Sequence, residues 1–144
     1  MTADPHDLQR FVAAQNEGGT YERALAELRA GRKASHWMWF VFPQLSGLGS
    51  STMARRYAIG SLAEAEAYLE HPLLGPRLRE CAAALAAHDD RSAREILGEI
   101  DAVKLRSSMT LFSRAAPGEA VFRRVLDRFY DSSADPQTLR LLGG

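Results

Sequence analysis

The chain has 144 residues and a single cysteine, Cys81. With no partner for an internal disulfide, the expected setting is a reducing compartment. Net charge is missing as well. Eighteen Lys and Arg balance 18 Asp and Glu, and the pI is 6.9, which argues against a basic nucleic-acid module and against an acidic tail. No stretch approaches the roughly 18 apolar residues of a membrane span. The opening MTADPHDLQRF has no apolar centre of the kind a secretory signal needs. A cytoplasmic protein with no membrane and no nucleic-acid partner is therefore expected. No two histidines, and no histidine with Cys81, stand at metal-ligand spacing, so neither a metal nor a cofactor is expected. There is no repeat, low-complexity tract or linker, so residues 1–144 are read as one domain. Alternating strand patterns are also absent.

What remains is helical. Hydrophobic residues make up 46% and charged residues 25%, and a chain this long buries roughly two-thirds of its unfolded surface. Asp4 with Pro5 is expected to open a first helix, with Leu8, Phe11, Val12 and Gln15 on one face. Asn16, Gly18 and Gly19 break it, Thr20 caps a second helix, and Gly31 ends that one. Ser61 with Glu64, and Ser92 with Glu95, fit the reciprocal capping box. Pro72 suits the first position of a long helix through Leu73, Leu78, Cys81 and Leu85. A later helix carries Ile100, Val103, Leu111 and Phe112 to a stop near Pro117. Val121, Phe122, Val125, Leu126 and Phe129 form an apolar stripe, and Asp135 with Pro136 opens a last short helix. The predicted fold is all-α, a single-domain irregular bundle of about seven or eight helices.

Residues 36–49 read HWMWFVFPQLSGLG. Periodicity cannot separate a buried helix from a buried strand here, but no partner strand exists, so a short helix halted by Pro43 is expected. A wall of large apolar side chains with polar groups at its ends suits a ligand pocket, and also a plain core. Just beyond, Gly47, Gly49, Ser50 and Ser51 precede a helix containing Met53 to Tyr57. Backbone N–H groups there could meet an anion, or the segment is a turn with a serine cap. It is neither a Walker loop nor a dinucleotide fingerprint.

A second constellation is Asp101, Lys104 and Ser108, which share one helix face at spacings of three and four. Lys104 and Ser108 can enter one site with Asp101 orienting the amine, a pattern compatible with nucleophilic or general-base chemistry. An ordinary surface Asp–Lys pair is the other reading. Val103, Leu105, Leu111 and Phe112 suggest that this helix is well buried. His36 is a candidate acid, base or hydrogen-bonding group, or else a structural cap, as is His71. Arg29, Arg32 and Lys33 suit a helix C-terminus. Cys81 lies on an apolar stripe and is read as inert core.

The chain resembles a small bacterial family of uncharacterised all-helical proteins, a domain of unknown function whose genome records often carry the label calpastatin. The resemblance runs through Asp7, Arg10, Phe11, Gln15, Tyr21 and Ala24-Leu25, then Gly31, the stretch His36 to Gln44 and Gly47-Leu-Gly49. Tyr68-Leu69, His71-Pro72, Lys104, Ser107 to Phe112, Asp135 and Thr138-Leu139 complete it. Asp131-Ser132-Ser133 stands where many relatives are expected to have a glycine. The resemblance implies an all-helical single domain, with no established activity and no catalytic residues. Calpain inhibition is not expected, because repeats of that kind are extended and disordered and this chain has a core composition and no repeat.

The favoured function is a pocket for a small anionic or nucleotide-like ligand. Trp37 and Trp39 would supply the wall, and Gln44, Gly47, Gly49, Ser50, Ser51, Ser107 and Thr110 the polar contacts. Lys104, Ser108 and His36 are the candidates for hydrolase or transferase chemistry. The alternative is a protein–protein interaction module or homodimer built on the aromatic run. Either a monomer or a homodimer is compatible with the sequence.

Overall fold

The computed structural model describes residues 4–143. Local signals set the first elements. α1 (Gln9–Asn16) buries Phe11 and Gln15 one turn apart. The Asp4 carboxylate accepts the N–H groups of Leu8 at 2.8 Å and Gln9 at 3.0 Å. It is a cap, but the helix begins at Gln9 rather than Pro5, because Asp7 takes a φ of 50°. A single 3-10 turn, Glu17–Gly19, leads into α2 (Thr20–Ala30). Gly19 holds the cap position expected for Thr20, whose hydroxyl donates back to the Glu17 carbonyl at 2.6 Å. α2 ends at Gly31 as predicted.

The aromatic run forms α3 (Met38–Val41), one helical turn followed by the buried Pro43. α4 (Thr52–Arg56) sits within a loop whose ends are tied by one isolated parallel bridge between Leu45 and Ile59. α5 (Leu62–Glu70) and α6 (Leu74–Ala86) follow. Ser61 accepts the Glu64 N–H at 3.1 Å, but Glu64 accepts from Gly60 and Arg10 instead of closing the box. α6 starts at Leu74 rather than Pro72. The His71 Nδ1 accepts the N–H groups of Leu73 and Leu74 at 3.1 and 3.2 Å, so His71 is the cap. α7 (Ala93–Leu97) carries the full Ser92–Glu95 box. α8 (Glu99–Ala115), α9 (Ala120–Phe129) and α10 (Pro136–Leu141) complete the chain. Among the described residues seven helices have six residues or more, and three are single turns of four or five.

α8 lies at the centre, packed by α5, α7, α9 and α10, while α6 packs on α2, α5 and α9. Four rings from four helices form a continuous stack. Phe11, Tyr68, Phe112 and Phe122 follow one another at centroid distances of 5.1, 5.4 and 5.9 Å, each contact worth about 0.5–1.5 kcal/mol beyond area burial. A buried polar network fixes α3 to this stack. Gln15 Nε2 donates to the Phe40 carbonyl at 2.8 Å and to the Tyr68 hydroxyl at 3.2 Å, and Arg77 donates to Gln15 Oε1. One expectation is corrected at the start of α8. Ile100 and Val103 are 73% and 63% exposed, and burial of this helix begins at Leu105.

Candidate functional site

The site grows from the chain reversal at Gly31. After α2 stops, residues 33–37 run back beside its last turn, and the Glu27 side chain collects them. Its Oε1 accepts the N–H groups of Ala34 and Ser35 and the Trp37 indole N–H at 2.8, 3.0 and 2.9 Å. Its Oε2 accepts the Ser35 hydroxyl at 2.6 Å. Burial alone would raise the Glu27 pKa, but these donors outweigh it and hold the carboxyl at about 2. Trp37 is thereby anchored and completely enclosed. It cannot be the open ligand wall expected from the sequence; its indole is core, with its one polar atom satisfied. Met38, Phe40, Val41 and Phe42 are buried too. Within residues 37–42 the aromatic run therefore presents no flat apolar patch, and Trp39 alone of these is partly exposed.

Trp39 differs. It is half-buried, and its indole N–H makes no hydrogen bond among the described residues. The Lys104 ammonium lies 5.4 Å from its ring centroid, within cation–π range. Lys104 shares the Asp101 carboxylate with Lys33. Lys33 Nζ is 3.0 Å from Asp101 Oδ2 and Lys104 Nζ is 3.9 Å from Oδ1. Lys33 is the fixed member, its side chain 9% exposed and its ammonium 5.1 Å from the Trp37 ring centroid. With the ionised Glu27 carboxylate bonded to Trp37, two ammoniums and two carboxylates surround the two indoles, and Lys104 is the cation held at the partly exposed one. Ser108, one turn deeper on the same helix face, is fully buried with a hydroxyl that has no partner among the described residues. His36 is exposed at the edge of this cluster in sequence.

The other predicted residues are placed elsewhere. Ser107 donates to the Asp135 carboxylate at 3.1 Å, and Thr110 accepts the Asp135 N–H at 2.8 Å while donating to the Arg106 carbonyl. Both hydroxyls hold the start of α10 rather than facing Trp39. Gln44, Gly47, Gly49 and Ser50 line a cleft of about 380 Å³ together with Arg55, and this cleft shares no lining residue with the Lys104 cluster. Its glycines have structural work. Gly47 has a φ of 102°, and a Cβ on Gly49 would stand 2.6 Å from that of Ala54. Ser51 accepts the Ala54 N–H at 3.1 Å as the cap of α4, so the loop is a built turn onto a short helix. Cys81 is enclosed on α6, and burial pushes its thiol up to about 12.

Sequence reasoning missed Glu27 and Lys33 as members of the site. Lys33 reads naturally as a cation at a helix end. The usable signal was the Gly31 stop, which brings the residues after it beside the final turn before it. No group of three or more His, Cys, Asp or Glu placed to hold a metal occurs among the described residues, and no helix there is long and apolar enough to cross a membrane.

Comparison with known proteins places this architecture. The model of a family described as protein of unknown function (DUF1810) matches residues 5–142. The crystal structure of the conserved hypothetical protein Rv1873 from Mycobacterium tuberculosis superimposes with a TM-score of 0.94 at 53% identity, covering 98% of this chain and 99% of that one. No curated protein matches the chain.

Proposed function

We propose, for a chain that belongs to the DUF1810 family of proteins of unknown function, that it binds a small anionic ligand carrying an aromatic ring, a nucleotide or a close analogue. The observation that supports this reading is the pairing of Lys104, loosely held by Asp101 at 3.9 Å, with the partly exposed Trp39 ring at 5.4 Å. An aromatic ring stacks on an indole face, and the loosely paired Lys104 ammonium meets an anion. The free Trp39 N–H and the exposed His36 imidazole offer further polar contacts. Lys33, tightly paired and enclosed, acts as scaffold, and Lys104, at the outer limit of its ion pair, is the group free to turn to a ligand.

Binding is supported further than turnover. A serine nucleophile needs a base within hydrogen-bond reach, and the Ser108 hydroxyl has no partner among the described residues. Hydrolase or transferase chemistry would require ligand binding to bring Lys104 or His36 to that hydroxyl.

The test is a thermal-shift screen with nucleoside monophosphates, nucleoside diphosphates and sugar phosphates, on the wild type and on Lys104→Met. A ligand at 100 times its Kd stabilises by about 2.7 kcal/mol, a rise in Tm of roughly 5–10 °C for a domain of this size. The expected result is a shift with nucleotides, a smaller one with sugar phosphates that lack the ring, and loss of both in Lys104→Met. A complete panel without any shift, or a shift indifferent to Lys104, would overturn the reading.

A further inference from the structure

We propose that the first turn of α8 and the groove beside it form a two-fold contact between two copies of this chain. Ile100 and Val103 stand three residues apart, hence on one helix face, and they are the most exposed large apolar side chains among the described residues, at 73% and 63%. Exposed singly, such residues need no explanation, but here they adjoin a groove of about 490 Å³ between α7, α8 and the end of α9. Ala93, Ala102, Val103 and Phe129 give it an apolar lining. Its floor is held in place by the Tyr130 hydroxyl, which donates to the Ala102 carbonyl.

A protruding apolar side chain and a preformed apolar groove thus lie side by side on one face. A two-fold axis between them places Ile100 of each copy in the groove of the other. Such a contact is self-complementary and closes at two copies. The charges fit the same occupant. The groove carries Arg94 and Arg106 against Glu99 and Asp135, two of each sign, so the face does not repel its own copy, as a face of one sign would. Arg94 and Glu99 are paired loosely within the chain, at 3.6 Å with both side chains about three-quarters exposed. Across the axis each can take the other copy's partner. Neutral self-matching of this kind singles out a second copy over a strongly charged partner.

The test is sedimentation velocity on the full chain over a concentration series, with Ile100→Glu, Val103→Lys, Arg94→Glu, Glu99→Arg and the double reversal. All four positions are exposed, so the variants should fold, and far-UV circular dichroism checks that they do. The expected result is a monomer–dimer equilibrium whose Kd rises at least tenfold in Ile100→Glu, about 1.4 kcal/mol. Each single charge reversal should weaken the dimer several-fold, and the double reversal should recover it. A chain that stays monomeric at every concentration overturns the proposal. So does a dimer indifferent to Ile100 and Val103, which would place the contact on another face, or a groove that a small apolar ligand fills without any change in mass.

Discussion

Glu27 is the residue on which the aromatic run depends. Four donors from Ala34, Ser35 and Trp37 converge on its carboxylate, and they hold it charged against the cost of burial. Its pKa falls from the ordinary 4.5 to about 2 in the folded protein. A depressed carboxylate pKa means that the stabilisation is complete above the unfolded value and disappears as pH falls through the folded one. Melts of the wild type should therefore lose the Glu27 contribution between pH 4.5 and pH 2, while Glu27→Gln lacks it throughout. The gap in Tm between the two proteins should be widest near neutrality and close in acid. A gap of constant width would show that the carboxylate charge is not what holds the strap. Glu27 itself was hidden in the sequence, because an acidic residue on a helix reads as solvated surface until the chain folds back over it. Trp37 misled for the opposite reason. Its size marks it as important without distinguishing a core indole from a partly exposed one, and what separates it from Trp39 is its complete burial and its hydrogen bond to Glu27.

Among the elements, helix identity was largely legible and helix starts were not. The spacing of Val121, Phe122, Val125, Leu126 and Phe129 announces α9, and Asp135 with Pro136 announces α10, where Asp135 accepts the Thr138 N–H at 3.1 Å. The starts of α1, α2 and α6 moved by one to several residues because caps competed. Asp4 reaches over a broken turn, Gly19 takes the place of Thr20, and the imidazole of His71 does what Pro72 was expected to do. The turn between α9 and α10 follows local rules as well. Asp131 and Ser132 both have positive φ, 52° and 63°, at the place where a glycine was expected from the resemblance. Non-glycine residues pay roughly 1–2 kcal/mol in that region, part of which glycine returns through its greater unfolded-state entropy. Ser132→Gly should accordingly raise stability by about 0.5–1 kcal/mol, read by urea titration. A loss of stability would mean that the turn is held by the serine side chain and not merely tolerated by it.

At the scale of the molecule, the all-helical bundle was legible in helical spacing and the lack of strand patterns, and the spacing of Asp101, Lys104 and Ser108 marked the face of α8 from which Lys104 meets Trp39. What the pattern could not carry was which aromatic ring Lys104 meets, since that depends on a loop folding back from Gly31. Nor could it show that Ser107 and Thr110 turn toward Asp135 at the start of α10 and away from a site they were expected to share. In the proposed binding mode Trp39 and Lys104 receive the ligand while Trp37 stays sealed in the core. The chain has two tryptophans, so a ¹⁵N-labelled sample gives two indole N–H signals, assigned with Trp39→Phe. On titration with a nucleoside monophosphate the Trp39 signal should move and saturate while the Trp37 signal, bonded to Glu27, stays still. A Trp39 signal that remains fixed at saturating nucleotide, or a Trp37 signal that moves in its place, would contradict the account.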